Sequence, residues 1–198
     1  MIREQGRETR RRLLEAAVTL IGEAGWNGVT TRMVAERAGV APGVVHYHYA
    51  SVTDLLVAAS CAFAERLLDE LARHLAAHPD LDGGLTWLLG QVAAYDGADP
   101  ASLLMTETYL AAQRLPDLHG RLRGTVVRFR REVSTWLQVV GREAPETDAG
   151  AAAAADARAV LLAAVVDGLV LQRGLDPGVD VAALAGPLRA MLRGENAP

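Results

Sequence analysis

The chain has no lysine, one cysteine and two phenylalanines among its 198 residues. Each shortage excludes something. Without lysine, every fixed positive charge is a guanidinium. A lone Cys61 rules out an internal disulfide framework and a paired-cysteine metal site. Long apolar runs are also missing: the most apolar stretch, around 151–171, is broken by Asp156, Arg158 and Asp167, so it does not read as a membrane span. The arginine-rich start is followed by an amphipathic rather than an apolar segment, which is not a signal peptide. The expected location is therefore the cytoplasm. Neither strand-type alternation nor hairpin dipeptides stand out, while Ala, Leu and Arg dominate, which predicts an all-α fold. Enzyme signatures are absent too. No HExxH, GxSxG or phosphate-cradling GxxxxGK[ST] occurs, and Glu143 and Glu146 read as solvated loop carboxylates. No cofactor is implied.

What is present is uneven charge and regular punctuation. Residues 1–50 hold seven Arg against five acids, a net +2, whereas 51–198 hold thirteen Arg against nineteen acids, a net −6. A basic head on an acidic body suits a protein that meets a polyanion at one end. Apolar spacing and breakers predict helices over about 9–24, 31–38, 42–49 and 51–78, ended by Gly25, Gly39 and Pro79 among others. Further helices are expected from Asp82-Gly83-Gly84 to Asp96-Gly97 and from Asp99-Pro100 to Leu115-Pro116. Asp117 should cap another reaching Gly141, before a polar loop over 143–150, an Ala-rich helix to Arg173 and a last helix over 181–192. That makes about nine helices and no internal repeat. The first fifty residues are expected to form one domain and 51–198 a larger one.

The segment TTRMVAERAGVAPGVVHYHYASVTDLL, Thr30 to Leu56, carries the most information. Thr30 and Thr31 offer cap hydroxyls, Met33, Val34 and Ala38 follow at helical spacing, and Gly39 takes a sharp turn. Pro42 sits where a first helical residue belongs, and Ser51 to Asp54 caps the next helix. This layout is a helix-turn-helix, whose second helix can enter the DNA major groove. On that helix, polar-tipped His46 and Tyr47 stand beside small Pro42, Gly43 and Val44, so backbone can approach a phosphate or base edge closely. His46 and His48, two apart on a helix, point away from one another and cannot chelate a metal together. His74 and His78 are four apart near a helix end, where imidazoles complement the dipole, and no metal site is assigned to them.

Residues 9–56, in particular LLEAAVTLIGEAGWNGVTTRMVAERAGVAPGVVHYHYASVTDLL, resemble the DNA-binding region of the TetR family of transcriptional regulators. The resemblance covers about a quarter of the chain; the remaining helices match in number, order and length. It implies a homodimer whose two recognition helices read an inverted-repeat operator in double-stranded DNA. It also implies a C-terminal domain that binds a small molecule and releases DNA; the single long fourth helix expected to join the two parts suggests that release works by its tilt. Carried over by position, Thr30, Thr31 and Arg32 would open the second helix against phosphates. Pro42, Gly43, Val44, His46 and Tyr47 would face the groove. This chain departs from the family in three places: Ala41 replaces a Ser or Thr cap, Val52 replaces a common lysine, and Tyr49 replaces a common phenylalanine.

Candidate effector contacts are Phe63, Leu67, Trp87, Gln91, Tyr95, Met105, Glu107, Tyr109, Phe129 and Trp136. A buried Glu107 would need a cationic or donor partner, which points to a ligand with such a group. Candidate dimer contacts are Val160, Ala164, Gly168 and Leu171, on a helix apolar around most of its circumference, with Leu184 and Leu188 from the last helix. Two other classes remain open: a DNA-binding regulator controlled by a protein partner rather than a small molecule, and a small helical enzyme that carries such a head.

Overall fold

A computed structural model of the chain describes residues 2–95, 99–141 and 148–194. Among the described residues there are nine α-helices and no strand. They are α1 Ile2–Ala24, α2 Thr31–Ala38, α3 Pro42–His48, α4 Val52–Ala76, α5 Leu81–Ala94, α6 Pro100–Ala112, α7 Pro116–Val140, α8 Asp148–Leu175 and α9 Ala185–Arg193. The expected helix end at Asp96-Gly97 and the expected solvated pair Glu143 and Glu146 lie outside the described residues. From Asp148 the chain is already helical, so the loop expected over 143–150 is shorter than its spacing suggested.

The helices form two compact units, and the boundary expected after residue 50 coincides with neither. The first unit comprises residues 2–66 and 99–123, the second 67–95 and 124–194 of the described chain. Both α4 and α7 contribute one portion to each unit.

In the first unit α1 packs against α2 and α6, and α2 against α3. Leu13, Ala17 and Ile21, at steps of four along α1, are fully buried with Val34, Leu55, Leu104 and Leu118. Trp26 plugs this core. The α1 helix begins seven residues before the expected Thr9. Apolar periodicity starts only at Leu13. The earlier turns are held by charge, with Arg11 bridging Glu8 and Glu15 at the three- and four-residue spacing that faces on a helix. Proximity to Arg11 holds the Glu8 carboxyl below its ordinary range, and Arg37 does the same for Glu23. Cys61 is buried in the same core, and burial pushes its thiol above the usual range, the opposite of what a nucleophile requires.

In the second unit Leu75, Leu85, Val92, Val133, Ala159 and Leu188 centre another core. Here Asp80 caps α5, its carboxylate accepting the Gly83 N–H at 2.7 Å. The Gly83-Gly84 pair therefore lies inside the first turn of α5 rather than before it. The reason is packing: a Cβ on Gly84 would collide with the indole of Trp136. Arg173 of α8 ties the unit's ends together. Its Nε donates to Tyr95 O at 3.0 Å and Nη2 to Ala93 O at 3.1 Å, satisfying carbonyls left open where α5 stops, and Nη1 donates to Val179 O at 3.0 Å in the segment after α8. The single last helix expected over 181–192 is instead a 3₁₀ turn, Ala182–Leu184, followed by α9. Pro187 explains the break, since it has no N–H for the carbonyl four residues back and its ring crowds that carbonyl. No helix among the described residues is long and apolar enough to cross a membrane.

Candidate nucleic-acid interface

The turn between α2 and α3 is built from local chemistry. Thr30 is extended and its hydroxyl accepts the Met33 N–H at 3.3 Å, which starts α2. Gly39 ends it in the left-handed region at φ 63, where a side chain would be strained. Val40 N–H then reaches back to Ala35 O at 2.9 Å. Ala41 precedes α3 in extended conformation with no side-chain cap, and Pro42 occupies the first turn. Ser51 Oγ accepts the Asp54 N–H at 3.1 Å, starting α4 directly after the motif.

The short α3 is held by one fully buried side chain, Val45, with Val44 and His48 half-buried. Its other side is open. Pro42, Gly43, His46 and Tyr47 are exposed, and Tyr47 retains 85% of its surface. Apart from its chain neighbours and its own helix backbone, no atom lies within 4 Å of where a Gly43 Cβ would stand, so packing against the rest of the chain does not require glycine there. The missing side chain leaves room for something outside the chain. Thr30 and Arg32 are exposed as well, while Thr31 and Val44 are half-buried and offer less surface than their expected roles imply.

Two features of this region were not legible in the spacing. The Arg12 guanidinium of α1 donates to Ala38 O and, at 3.0 Å, to Gly39 O, so a residue 26 positions away closes the carbonyls of the turn. Arg37 of α2 pairs with Glu23 of α1 at 2.6 Å. Both depend on tertiary proximity that helix periodicity does not encode.

The expected effector residues do not gather in one place. Phe63, Met105, Glu107 and Tyr109 belong to the first unit; Leu67, Trp87, Gln91, Tyr95, Phe129 and Trp136 belong to the second. Glu107 already has a partner, since its carboxylate accepts the Trp26 N–H at 2.8 Å. The hint of a basic ligand group drawn from Glu107 is thereby removed. Gln91 and Tyr109 are exposed, and Trp87 stacks near His74 and His78, with ring centroids 5.2 and 5.7 Å away. His78 Nδ1 lies 2.8 Å from His74 O, and no group of three metal-ligating side chains exists among the described residues. An open groove of about 750 Å³ in the second unit lies along α4 and α7, lined by Asp69, Arg73, His78, Glu132 and Trp136 among others. Of the expected contacts only Trp136 borders it.

On α8 the two sides differ clearly. Ala155, Ala159, Leu162 and Leu169 are buried, whereas Val160 is 46% exposed, Leu161 40% and Leu171 56%. Ala164 is exposed too, and the space around Gly168 is open. Leu188, expected at a dimer surface, is instead buried in the second unit's own core, and Leu184 packs half-buried against that core. Amphipathic spacing marks which face is apolar but not which neighbour covers it.

Comparison with known proteins bears on this geometry. Residues 13–59 match a family model described as bacterial regulatory proteins, tetR family. The transcriptional regulator BetI of Burkholderia thailandensis is 32% identical over 177 residues, covering 87% of this chain and 85% of that protein. The transcriptional repressor KstR of Mycolicibacterium smegmatis is 39% identical over 64 residues, 32% of this chain and 31% of its own. Among solved structures, a transcriptional regulator from Saccharomonospora viridis in complex with choline superposes with a TM-score of 0.74 at 22% identity, covering 94% of this chain and 96% of that one.

Proposed function

The chain belongs to the TetR family of transcriptional regulators, and from that premise we propose that it is a repressor, dimeric on an inverted-repeat operator and released by a small molecule. The observation that carries the reading is the outward face of α3. A short Pro-initiated helix, anchored chiefly by Val45, leaves His46 and Tyr47 exposed beside an unfilled Gly43. In this reading Pro42, Gly43, His46 and Tyr47 contact base edges, while Thr30, Thr31 and Arg32 at the start of α2 contact phosphates. Val44 contributes only its outer edge. The exposed apolar side of α8, with Val160, Leu161, Ala164 and Leu171, pairs with the same side of a second copy, as a two-fold interface does. The small residues at 164 and 168 let the two helices approach.

The effector acts on the body of the protein. Because α4 starts at Val52, immediately after the helix-turn-helix, and continues through residues of the second unit, a ligand that displaces its later turns moves a helix whose first turn borders α3. Converting a mostly operator-bound population to a mostly released one requires a difference of about 5.5 kcal/mol in ligand affinity for the two states. The groove beside Glu132 and Asp69 and the half-buried aromatics Trp87 and Phe129, all of the second unit, are the candidate contacts.

The test is fluorescence anisotropy on duplex DNA from upstream of the protein's own coding region, repeated with small molecules. Choline is the first, because a structural neighbour was solved with it. Release by one compound, with a matching rise in melting temperature of the free protein, is the expected result. Binding that no compound reverses, but that a cellular protein does, would replace the small-molecule reading with control by a protein partner.

A further inference from the structure

Three consecutive arginines of α1, at 10, 11 and 12, have different fates. Arg11 is held between Glu8 and Glu15, and Arg12 is committed to the carbonyls of the turn. Arg10 is exposed, and among the described residues only its Nε is engaged: it donates to the Tyr49 hydroxyl at 3.2 Å. Its guanidinium carbon lies 5.9 Å from the centre of the Tyr49 ring. Tyr49 itself is buried to 8% exposure and ends α3, accepting nothing else through its hydroxyl among the described contacts. The buried ring thus holds an exposed guanidinium beside the end of the helix that carries His46 and Tyr47.

We propose that Arg10 and Tyr49 form a phosphate clamp: the ring and hydroxyl fix the guanidinium, and Nη1 and Nη2 donate to a backbone phosphate of the operator duplex. The inference rests on the DNA-binding reading of α3 and names a contact that reading did not include. A guanidinium suits the task because its planar fork matches two phosphate oxygens. Prior fixation removes much of the entropy that a free arginine loses on binding. The pairing also gives Tyr49 a role that a phenylalanine could not fill, since only the hydroxyl offers Nε an acceptor. With no lysine in the chain and Val52 opening α4, positive charge at this end of the motif has to come from another element, and α1 supplies it.

A phosphate contact has a signature that a structural arginine lacks, the dependence of affinity on salt. The experiment measures binding of the full-length protein to a short labelled duplex of mixed sequence across a salt series, with melting temperature alongside. Arg10→Ala should lower the slope of log K against log salt by about 0.9 per protomer, while the melting temperature stays close to that of the parent. Arg10→Lys should keep the slope but bind more weakly, since the charge remains and the fork does not. Tyr49→Phe should keep the slope and lose about two- to tenfold in affinity, the effect of one hydrogen bond. If Arg10→Ala leaves the slope unchanged, the clamp is wrong, whether or not affinity and melting temperature fall together. If the parent protein itself shows no salt-dependent binding, the DNA-binding reading of α3 fails with it, so the two failures are distinguishable.

Discussion

Replacing Trp136 by alanine is expected to remove about 3–5 kcal/mol of stability, the range for deleting a large buried aromatic. The side chain is 4% exposed, its indole N–H donates to His78 O at 3.1 Å, and its ring lies against Gly84. Loss of the ring would leave a void at the meeting of α4, α5 and α7 and strand a carbonyl at the end of α4. The contact with Gly84 supplies an internal control. Gly84→Ala should be destabilising by about 1–3 kcal/mol through overpacking, and that cost should vanish when Trp136 is already alanine. Urea unfolding of the four proteins measures both effects. Costs that simply add would mean that the ring and the glycine are not in the contact described.

A charge on the exposed side of α8 should have the largest effect on assembly. In Ala164→Arg, two-fold pairing would bring the new guanidinium into an apolar surface and close to its own symmetry mate. Like charges placed together at an interface cost several kcal/mol. At about 1.4 kcal/mol per decade, the dimer constant should weaken by about two orders of magnitude or more. Sedimentation should then find monomers at concentrations where the parent is dimeric, and operator binding should lose its two-half-site cooperativity. Position 164 is solvent-facing within the monomer, so the melting profile of the monomeric form should be little changed. A variant that stays dimeric would move the interface elsewhere.

Sequence and structure agree best where a helix is announced by local chemistry. Thr30, Gly39, Pro42 and Ser51 each act within four residues of themselves, and α2 and the start of α3 fall where those residues put them. The all-α class follows for the same reason. What periodicity could not supply was the identity of the neighbour. Leu188 and Leu171 have the same apolar character, yet one is inside a core and the other 56% exposed. Spacing marks Trp136 and Glu107 alike as ligand contacts, and only the structure shows their partners inside the chain, Gly84 and His78 for one and Trp26 for the other. The arginines of α1 show the same limit in the candidate interface. Their number was evident, but which are committed to carbonyls or carboxylates, and which keep donors free, depends on residues up to 39 positions away.

The measurement that bears most directly on α3 is the affinity of His46→Ala and Tyr47→Ala for duplex DNA from upstream of the protein's own gene. Both side chains are exposed, Tyr47 meeting the neighbouring His48 ring edge-on, so each variant should melt close to the parent while binding about 1–3 kcal/mol more weakly. Parental affinity in both variants would contradict the assignment of this helix to the major groove.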